Sequence, residues 1–406
     1  MDIRYTDPDV ANLWSLPSTY AQWLHIETLV LMAQRELSIV PADETGPLFG
    51  LLTGEGPAID QRAMTDIALM EERLKHDVVA FLEWLRYPFG LAGRWIHFGL
   101  TSSDVVDTAQ GMRFKDMKIH LLGALGDLVS ELTRWTLDDA PILARTHGQI
   151  AEPMTIKARG WHWLTTLSTP AADLSRHTSR AAVCKLSGPV GTYAHNPPEV
   201  EQRVAKILGL RPHGPGASQI ASRSPLAAWA NSAALLVGAC AKIAMDIRLM
   251  HLTGDAIVPT SYGQVASSSM AHKRNPIQAE QLGGMARLAR GYASMLQPLD
   301  VWLERDISHS SVERVAVPDL WHTVMHSIRV TTELLRGLTL DEWRITEGFV
   351  SAGVDPLVSK LTLDAILEGK DVEQARAWAV GRSLLATPES GIRAMSNYPY
   401  NGGVVR

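Results

Sequence analysis

The sequence predicts an all-α protein. Apolar side chains recur at helical spacing through several segments of about 20 to 35 residues, and these segments contain few glycine or proline breakers. The strict apolar–polar alternation of a half-buried strand is hard to find. The chain has 406 residues, of which 46% are hydrophobic. It can therefore bury a sizeable core, and its length suggests two or three domains.

The predicted helices follow one another along most of the chain. The first covers residues 18–37, where Trp23, Ile26, Val30 and Ala33 form one apolar stripe, and Pro41 follows as a stop signal. The other predicted helices cover residues 60–86, 105–138, 153–183, 225–250 and 276–295. The predicted loops cover residues 87–104, 140–153, 187–192, 210–224, 252–275 and 304–311. Helices of this length with wide apolar faces indicate packing between subunits, and we expect the chemistry in the loops.

Composition argues against several classes of protein. The net charge of −5 lacks the basic balance of a nucleic-acid-binding chain. Two cysteines, Cys184 and Cys240, are too few for a disulfide framework or a cysteine-rich zinc site. No charge occurs from Ser224 to Ala241, but this run is rich in alanine and contains Asn231, which favours a buried helix over a membrane span. The N-terminus lacks a signal-peptide pattern, and we expect the cytoplasm as the location.

Residues 97–104, with the sequence HFGLTSSD, precede a predicted helix. Gly99 permits a tight turn, and Thr101 or Ser102 can cap the helix. A helix start presents unpaired N–H groups and a positive partial charge, so it can hold a carboxylate. The alternative is an ordinary helix cap without a ligand.

Residues 145–149, with the sequence RTHGQ, lie between two predicted helices. A histidine in a loop can exchange protons near neutral pH, and His147 is therefore a candidate acid or base. The alternative is a surface histidine in a turn, because the chain contains 14 histidines.

Residues 267–276, with the sequence SSSMAHKRNP, give the strongest local signal. Three serines are followed at once by cations, and Pro276 then starts a helix at a position that proline tolerates. One interpretation is a mobile loop that carries a serine base and closes over an anion. The other is a flexible, solvated linker with a basic end.

Residues 304–314, with the sequence ERDISHSSVER, are dense in polar groups between apolar helices. One straight helix, at about 100° per residue, would place Arg305 and Arg314 on opposite faces. If both arginines bind one ligand, the chain must leave the helix between them. The alternative is a solvated helix end with surface ion pairs.

Together these segments resemble the active-site stretches of the fumarase/aspartase superfamily and, within it, the adenylosuccinate lyase family. The resemblance begins at Arg4-Tyr5 and runs to about residue 345. The matching stretches are residues 101–104, 145–149, 185–192 and 267–276, together with residues 304–314, which resemble adenylosuccinate lyases specifically. Each match alone is weak, but several in the same order make a chance resemblance implausible.

The resemblance implies an architecture. The N-terminal helical domain would cover residues 1–107, a central long-helix bundle with the catalytic loop residues 108–340, and a small C-terminal helical domain residues 341–406. Four central bundles would pack into a homotetramer, and each active site would combine segments of three subunits. No metal or organic cofactor is implied.

The resemblance also implies a mechanism. Expelling nitrogen from a succinyl group requires the removal of a weakly acidic proton beside a carboxylate, so the developing charge must be stabilised. By resemblance, Ser267 is the base, and Lys273 with Asn275 holds the carboxylate that gains charge. His147 would protonate the departing nitrogen, and Glu280 would support it.

Substrate-binding residues follow from the same resemblance. Those that would bind the succinyl carboxylates are Thr101, Ser102 and Gln219. Those that would bind a nucleotide phosphate, for which the arginine fork is well suited, are Arg4, Tyr5, Arg305, Ser310 and Arg314. The remaining implied residues are Lys75, His76, Asp77 and Ser268.

Some positions depart from the family pattern and lie where a changed substrate would leave a mark. Alanine replaces the usual glycine and proline of the loop at Ala266 and Ala271, and a lysine replaces the usual arginine at Lys75 and the usual glycine at Lys157. Ser224-Pro225-Leu226 follows Arg223 where the family commonly continues with charged or polar residues.

The expected function is fumarate release from adenylosuccinate, and from the related succinyl nucleotide SAICAR, in purine biosynthesis. One alternative is a specialised lyase that splits or joins fumarate and another nitrogen compound. Cycloisomerisation of a carboxymuconate would leave the arginine set unexplained. A third alternative is an inactive structural oligomer, against which Ser267, His147 and Lys273 argue. The expected partners are a small-molecule substrate and further copies of the chain, without nucleic acid or membrane.

Overall fold

The computed structural model describes residues 1–259, 275–297, 303–351, 361, 364–365 and 368–383. Helices dominate this part of the chain, which confirms the predicted all-α fold. The α-helices are α1 (Pro8–Leu13), α2 (Leu16–Glu36), α3 (Phe49–Leu52), α4 (Gln61–Leu74), α5 (Asp77–Arg86), α6 (Ser102–Trp135), α7 (Ile156–Ala181), α8 (Pro198–Leu208), α9 (Ser224–Thr253), α10 (Ile277–Met295), α11 (Ser308–Gly337), α12 (Glu342–Ser351) and α13 (Val372–Ser383). The short 3-10 helices are Ile3–Tyr5, Gly46–Leu48 and Tyr87–Trp95.

Three two-stranded sheets accompany the helices in the described residues. The strands are β1 (Pro141–Thr146), β2 (Gln149–Thr155), β3 (Val183–Cys184), β4 (Arg211–Pro212), β5 (Ala256–Ile257) and β6 (Thr339–Leu340). The pairs β1–β2 and β5–β6 are antiparallel, and β3–β4 is parallel.

The first predicted helix is confirmed. Trp23, Ile26, Val30 and Ala33 are all buried along α2, and Ser15 caps its start by accepting a hydrogen bond from the N–H of Ser18. The single helix predicted over residues 60–86 is wrong. Lys75 takes the left-handed conformation with φ of +54° and ends α4, and α5 begins two residues later. Apolar spacing continues across this break, so periodicity alone does not reveal it.

The loop predicted over residues 140–153 is also wrong, because β1 and β2 form a hairpin there. The helix predicted from residue 153 accordingly begins only at Ile156. Two features of the hairpin weaken the strand pattern in its sequence. Its register shifts between Leu143 and Arg145, which interrupts the alternation, and β2 buries no residue fully.

The described chain divides into two compact units. Unit 1 comprises Met1–Gly123, Ala171–Leu236 and Arg287–His326, and unit 2 comprises Ala124–Pro170, Val237–Ala286 and Ser327–Arg406. The division into three domains at residues 107 and 340 stays a prediction.

Unit 1 is built around aromatic packing. Phe114, Trp229 and Trp321 are fully buried, and their ring centroids lie 4.9 to 5.6 Å apart. These rings join α6, α9 and α11. Tyr20 and Phe81 stack at 5.7 Å and join α2 to α5.

Unit 2 has its own anchor where α6 ends. Trp135 and Trp163 meet edge to face at 6.1 Å, and the indole N–H of Trp163 donates to Asp246 Oδ2 at 2.8 Å. Gly160 allows the close approach, since a Cβ there would lie 2.7 Å from the carbonyl carbon of Trp135.

The uncharged run from Ser224 to Ala241 forms the first half of α9. Trp229 and Leu236 of this run are fully buried, as a core helix requires. Across the described residues, no helix combines the length and the apolar character needed to cross a membrane.

Candidate active site

The predicted site residues fall in both units and in the part of the chain outside the described residues. Unit 1 contains Arg4, Tyr5, Lys75, His76, Asp77, Thr101, Ser102, Gln219, Arg305, Ser310 and Arg314, and unit 2 contains His147, Asn275 and Glu280. Ser267, Ser268, Lys273 and the departures Ala266 and Ala271 lie outside the described residues.

The turn before α6 is held in place by polar contacts. The N–H of Thr101 donates to Asp104 Oδ2 at 2.8 Å, as in the second half of a capping box. Gln34 and Asn196 both donate to the carbonyl oxygen of Phe98, at 2.8 and 3.2 Å. Gly99 has φ of +69°, and a Cβ there would meet Asn196 Nδ2 at 2.7 Å. This fixed helix start can hold an anion at its free N–H groups.

A buried ion pair lies behind this turn. Lys185 Nζ is 2.6 Å from Asp104 Oδ1, and both side chains are fully excluded from solvent. Burial raises the pKa of Asp104, while the ammonium of Lys185 opposes the rise. The same ammonium donates to the backbone oxygen of Gln219 at 2.6 Å.

Gln219 connects two of the predicted binding groups. Its Oε1 accepts from Arg305 Nη1 at 3.0 Å, and its Nε2 donates to the carbonyl oxygen of Pro189 at 3.0 Å. Arg305 precedes α11 and Arg314 lies within it, so no single straight helix carries both arginines. No described residue accepts a hydrogen bond from the buried Nε of Arg305. A buried guanidinium N–H without a partner is costly, and an anion would satisfy it.

A second group of predicted residues meets where α5 begins and on the first two turns of α11. Arg314 Nη2 lies 2.5 Å from Asp77 Oδ2, and Arg314 Nε donates to Ser310 Oγ at 3.2 Å. His76 precedes α5, where its Nδ1 accepts from the N–H of Val79 at 3.4 Å. The Arg314 side chain is 61% exposed, so its remaining N–H groups are open to a ligand.

Arg4 and Tyr5 have other contacts in the described structure. Arg4 forms two hydrogen bonds of 3.1 Å to the exposed carboxylate of Asp2. The Tyr5 ring lies edge to face against His326, with centroids 5.4 Å apart. The structure therefore does not bring these two side chains onto the group around Arg314.

A buried charge network that the sequence did not reveal joins α6 and α11 through Arg223, the residue before α9. Arg223 binds Asp107 through two hydrogen bonds of 2.8 Å and Glu313 through bonds of 2.8 and 3.2 Å. His309 Nδ1 lies 3.2 Å from Glu313 Oε1. Burial alone would raise the pKa of Asp107, but the Arg223 guanidinium outweighs it and lowers the pKa below the usual 3.8. The network fixes the start of α11, from which Ser310 and Arg314 project.

Asp107→Asn should lower the free energy of unfolding by about 3 kcal/mol at pH 7, because Arg223 then loses a buried partner charge. A carboxyl whose pKa is lower in the native state stabilises the protein above pH 3.8 and loses this effect as the pH falls through the native value. The difference between variant and wild type should therefore shrink in acid. Denaturant unfolding at one protein concentration measures it.

Asp9→Asn serves as the control, because Asp9 pairs with His120 on the surface and should change stability by less than about 1 kcal/mol. A difference for Asp107→Asn that stays constant from neutral to acid pH would contradict the assignment.

The departure at Ser224-Pro225-Leu226 forms the first turn of α9 beside this network. Leu226 is buried. Pro225 and Leu226 line a cavity of about 220 Å³ together with Asp107 and Arg223. Two of the three residues that depart from the family pattern, Pro225 and Leu226, thus lie beside the charged network.

His147 lies at the tip of the β1–β2 hairpin in unit 2. Thr146 pairs with Gln149, so the loop has two residues, and His147 and Gly148 have φ of +54° and +75°. These values fit a type I′ turn, where asparagine is the usual first residue. Histidine in this conformation is strained, which favours a functional role. The side chain is exposed, and Arg145 anchors the strand through a 2.5 Å ion pair with Asp255.

Asn275 lies at one end of the segment that carries Ser267. Together with Pro259 and His251 it lines a cavity of about 220 Å³ in unit 2. Glu280 lies on the first turn of α10 and is half exposed, 3.6 Å from Arg248 Nη2. Lys157 pairs with Asp139 at 3.4 Å on the surface.

Comparison with known proteins decides the family. The model of a family described as lyase matches residues 58–291. Adenylosuccinate lyase of Deinococcus radiodurans is 35% identical over 394 residues, which cover 96% of this chain and 90% of that protein. Adenylosuccinate lyase of Synechocystis sp. is 37% identical over 345 residues, which cover 82% of this chain and 77% of that protein.

The chain belongs to the adenylosuccinate lyase family of the fumarase/aspartase superfamily. Members of this family are C–N lyases, and the chain is a fumarate-releasing C–N lyase that acts on a small molecule. Both the resemblance and the reaction class predicted from the sequence are confirmed.

Solved structures confirm the superfamily fold. Fumarate lyase from Mesorhizobium sp. BNC1 has a TM-score of 0.79 at 23% identity and covers 97% of this chain and 94% of its own. The 3-carboxy-cis,cis-muconate lactonizing enzyme from Pseudomonas putida has a TM-score of 0.77 at 22% identity, with coverages of 96% and 88%. At these identities the comparison speaks for the fold alone.

Proposed function

We propose that this lyase releases fumarate from adenylosuccinate, and from SAICAR, in purine biosynthesis. The observation that carries the proposal is Arg305, whose buried Nε has no acceptor among the described residues while its Nη1 is held by Gln219. A phosphate oxygen would complete this fork. The curated relatives named adenylosuccinate lyase support the same substrate. We also propose the cytoplasm as its location.

In the proposed reaction, Ser267 removes the proton beside a succinyl carboxylate, and Lys273 with Asn275 stabilises the charge that develops there. The bond to nitrogen then breaks, and His147 delivers a proton to the departing nitrogen. Glu280 supports this proton transfer. The succinyl carboxylates are bound by Thr101, Ser102 and Gln219. The fixed turn before α6 supports this role, because the N–H groups at a helix start can donate hydrogen bonds to an anion.

The phosphate would be bound by Arg305, Arg314 and Ser310, together with Arg4 and Tyr5. The exposed Arg314 guanidinium, held by Asp77 and Ser310, supports this assignment. His76 and Lys75 precede Asp77 and would contribute beside it. Ser268 would join from the loop.

Arg314→Gln should reduce kcat/KM for adenylosuccinate by roughly 30- to 5,000-fold, which corresponds to about 2–5 kcal/mol. The reason is that the phosphate would then be bound without one of its charged partners. Steady-state fumarate release measures the change. Arg203→Gln is the matched control, because Arg203 also pairs with a single carboxylate, Glu36, at the surface of unit 1. Equal effects of the two substitutions would contradict the proposal.

The active enzyme is proposed to be a homotetramer with shared active sites. In unit 2, α9 exposes Met245, Leu249 and Leu252 by 48%, 49% and 79%. Their spacing of four and three residues places them on one helix face, and other copies of the chain would cover this face. In unit 1, α6 likewise exposes Ile119 and Leu122.

Leu249→Lys should shift the protein from tetramer toward smaller species and reduce its activity, because a charge would have to be buried in the interface.

Mixing inactive Ser267→Ala and His147→Gln proteins should restore up to about a quarter of the activity if the two residues meet from different subunits. Light scattering with the fumarate assay tests both. A fully active monomer, or no recovery in exchanging mixtures, would rule out shared sites.

The substrate is tested by fumarate release from adenylosuccinate, SAICAR and a panel of small amino-succinates. We expect the enzyme to release fumarate from the two nucleotides and to release little fumarate from the small compounds. Turnover of a small compound with inert nucleotides would replace the proposal by a specialised lyase, and no turnover in either direction would favour an inactive oligomer.

A further inference from the structure

Lys185 is a fully buried lysine whose ammonium is saturated. Its Nζ donates to Asp104 Oδ1 at 2.6 Å, to the carbonyl oxygen of Gln219 at 2.6 Å and to that of Gly188 at 3.1 Å. An ammonium has three protons, and all three are committed. Because the side chain is excluded from solvent, it neither contacts a substrate nor exchanges protons with one.

The backbone of Lys185 is fixed to α6. Its N–H donates to Thr108 Oγ1 at 3.0 Å, and the same hydroxyl donates back to its carbonyl oxygen at 3.1 Å. Gly111, one turn further along α6, leaves room for β3, since a Cβ there would overlap the carbonyl oxygen of Val183. The backbone of Lys185 is therefore held beside Thr108, one helical turn after Asp104 on α6.

The three acceptors belong to segments that the sequence separates widely. Asp104 Oδ2 accepts from the N–H of Thr101, and Asp104 Oδ1 accepts from the N–H of Gly188. The Gln219 side chain reaches Arg305 and Pro189. One ammonium thus ties together the turn before α6, the segment after β3 and the backbone of Gln219.

We propose that Lys185 is the positioning residue that holds the fumarate-binding groups at their correct spacing. This inference rests on the proposed function only where that function assigns Thr101, Ser102 and Gln219 to the succinyl carboxylates. Two of the three tethers end on backbone oxygens, so they set where Gln219 and Gly188 lie. A lysine that contributed only a buried ion pair with Asp104 would need neither of these two hydrogen bonds to backbone oxygens.

Two variants separate positioning from stability. Lys185→Met alone leaves the Asp104 charge buried without its partner, which destabilises the protein strongly, whereas removing both charges together is often well tolerated. The double variant Asp104→Asn with Lys185→Met should therefore melt above Lys185→Met. The asparagine oxygen still accepts from Thr101, but Gln219 and Gly188 lose their tether. Asp104→Asn alone keeps the bonds of the ammonium to the backbone oxygens of Gln219 and Gly188, although it leaves that ammonium buried without a partner charge.

The experiment is calorimetric titration of each protein with fumarate, supported by thermal melting. We expect the double variant to bind fumarate roughly 10- to 100-fold more weakly than Asp104→Asn, which carries the same side chain at position 104 and keeps the ammonium. Lys115→Met is the matched control, because Lys115 also donates to a backbone oxygen, that of Leu208, in unit 1. Wild-type affinity in the double variant, or equal losses in the double variant and Asp104→Asn, would overturn the proposal.

Hydrogen exchange of the wild-type protein provides a test that needs no variant to fold. Saturating fumarate should slow exchange together in residues 97–104, 185–192 and 217–223, because Lys185 joins these segments. Protection confined to one of them would overturn the proposal. Fumarate is released whatever the leaving group, so inert adenylosuccinate with normal fumarate binding would refute the proposed substrate and leave the role of Lys185 intact.

Discussion

Replacing His147 by glutamine should lower kcat by about 10²–10⁴-fold, the usual contribution of a general acid. Glutamine can still donate a hydrogen bond, but it cannot give up a proton to the departing nitrogen. The loss should be largest for succinyl compounds whose nitrogen is most basic, because these depend most on protonation. Steady-state kcat across a series of leaving groups measures this trend.

His120→Gln is the control for this experiment, because His120 is a surface histidine of α6 that pairs with Asp9. It should leave kcat unchanged. Equal losses across the leaving-group series for His147→Gln would contradict the role of general acid, even if the absolute loss were large. Because His147 is exposed at the hairpin tip, its replacement should not disturb the fold. A loss of activity would therefore not result from a folding defect.

Ser267→Ala should remove almost all turnover while adenylosuccinate still binds within a few fold of its wild-type affinity. The alanine cannot accept the proton beside the carboxylate, and a general base contributes about 10²–10⁴-fold. The prediction comes from the family resemblance, since Ser267 lies outside the described residues. Rapid-mixing measurement of fumarate release gives the rate, and calorimetric titration gives the affinity.

Ser168→Ala is the matched serine control, because the Ser168 hydroxyl donates to the carbonyl oxygen of Thr165 on the surface of α7. It should behave like wild type. Near-normal turnover of Ser267→Ala would mean that another group is the base, and lost binding with an unchanged rate would make Ser267 a binding residue.

Periodicity predicted the long helices because each has to bury one face, as α2 does with Trp23 and Ile26. The same signal could not locate the break at Lys75, since a left-handed residue changes the backbone without interrupting the apolar spacing. The β1–β2 hairpin was missed because its register shift removes the alternation. A backbone irregularity has no simple counterpart in a pattern of apolar residues.

The sequence predicted those site residues that lie within motifs. It did not predict those whose role depends on a partner far away in the sequence. His147 and Arg314 each belong to a polar segment that stands out from its neighbours. Arg223 and Asp107, by contrast, are 116 positions apart in the sequence, and neither stands out without the other. The signal that was available is the pair Asp104 and Asp107, which occupy one face of a helix that must pack.

Lys185 shows a further limit of sequence reasoning. Two of its three acceptors are backbone oxygens, and every residue type provides such an oxygen. A lysine between Cys184 and Leu186, both fully buried, is the one hint that its ammonium must find internal partners. Only the fold reveals which partners these are.

The central claim is that the leaving group is a phosphorylated nucleotide. The ratio of kcat/KM for adenylosuccinate to that for its dephosphorylated nucleoside tests it most directly, because the two compounds differ only in the group assigned to Arg305 and Arg314. The account predicts a ratio of at least about 30, equivalent to about 2 kcal/mol of charge-assisted binding, and a smaller ratio in Arg314→Gln, which keeps Arg305. A ratio near one in the wild-type enzyme would contradict the account.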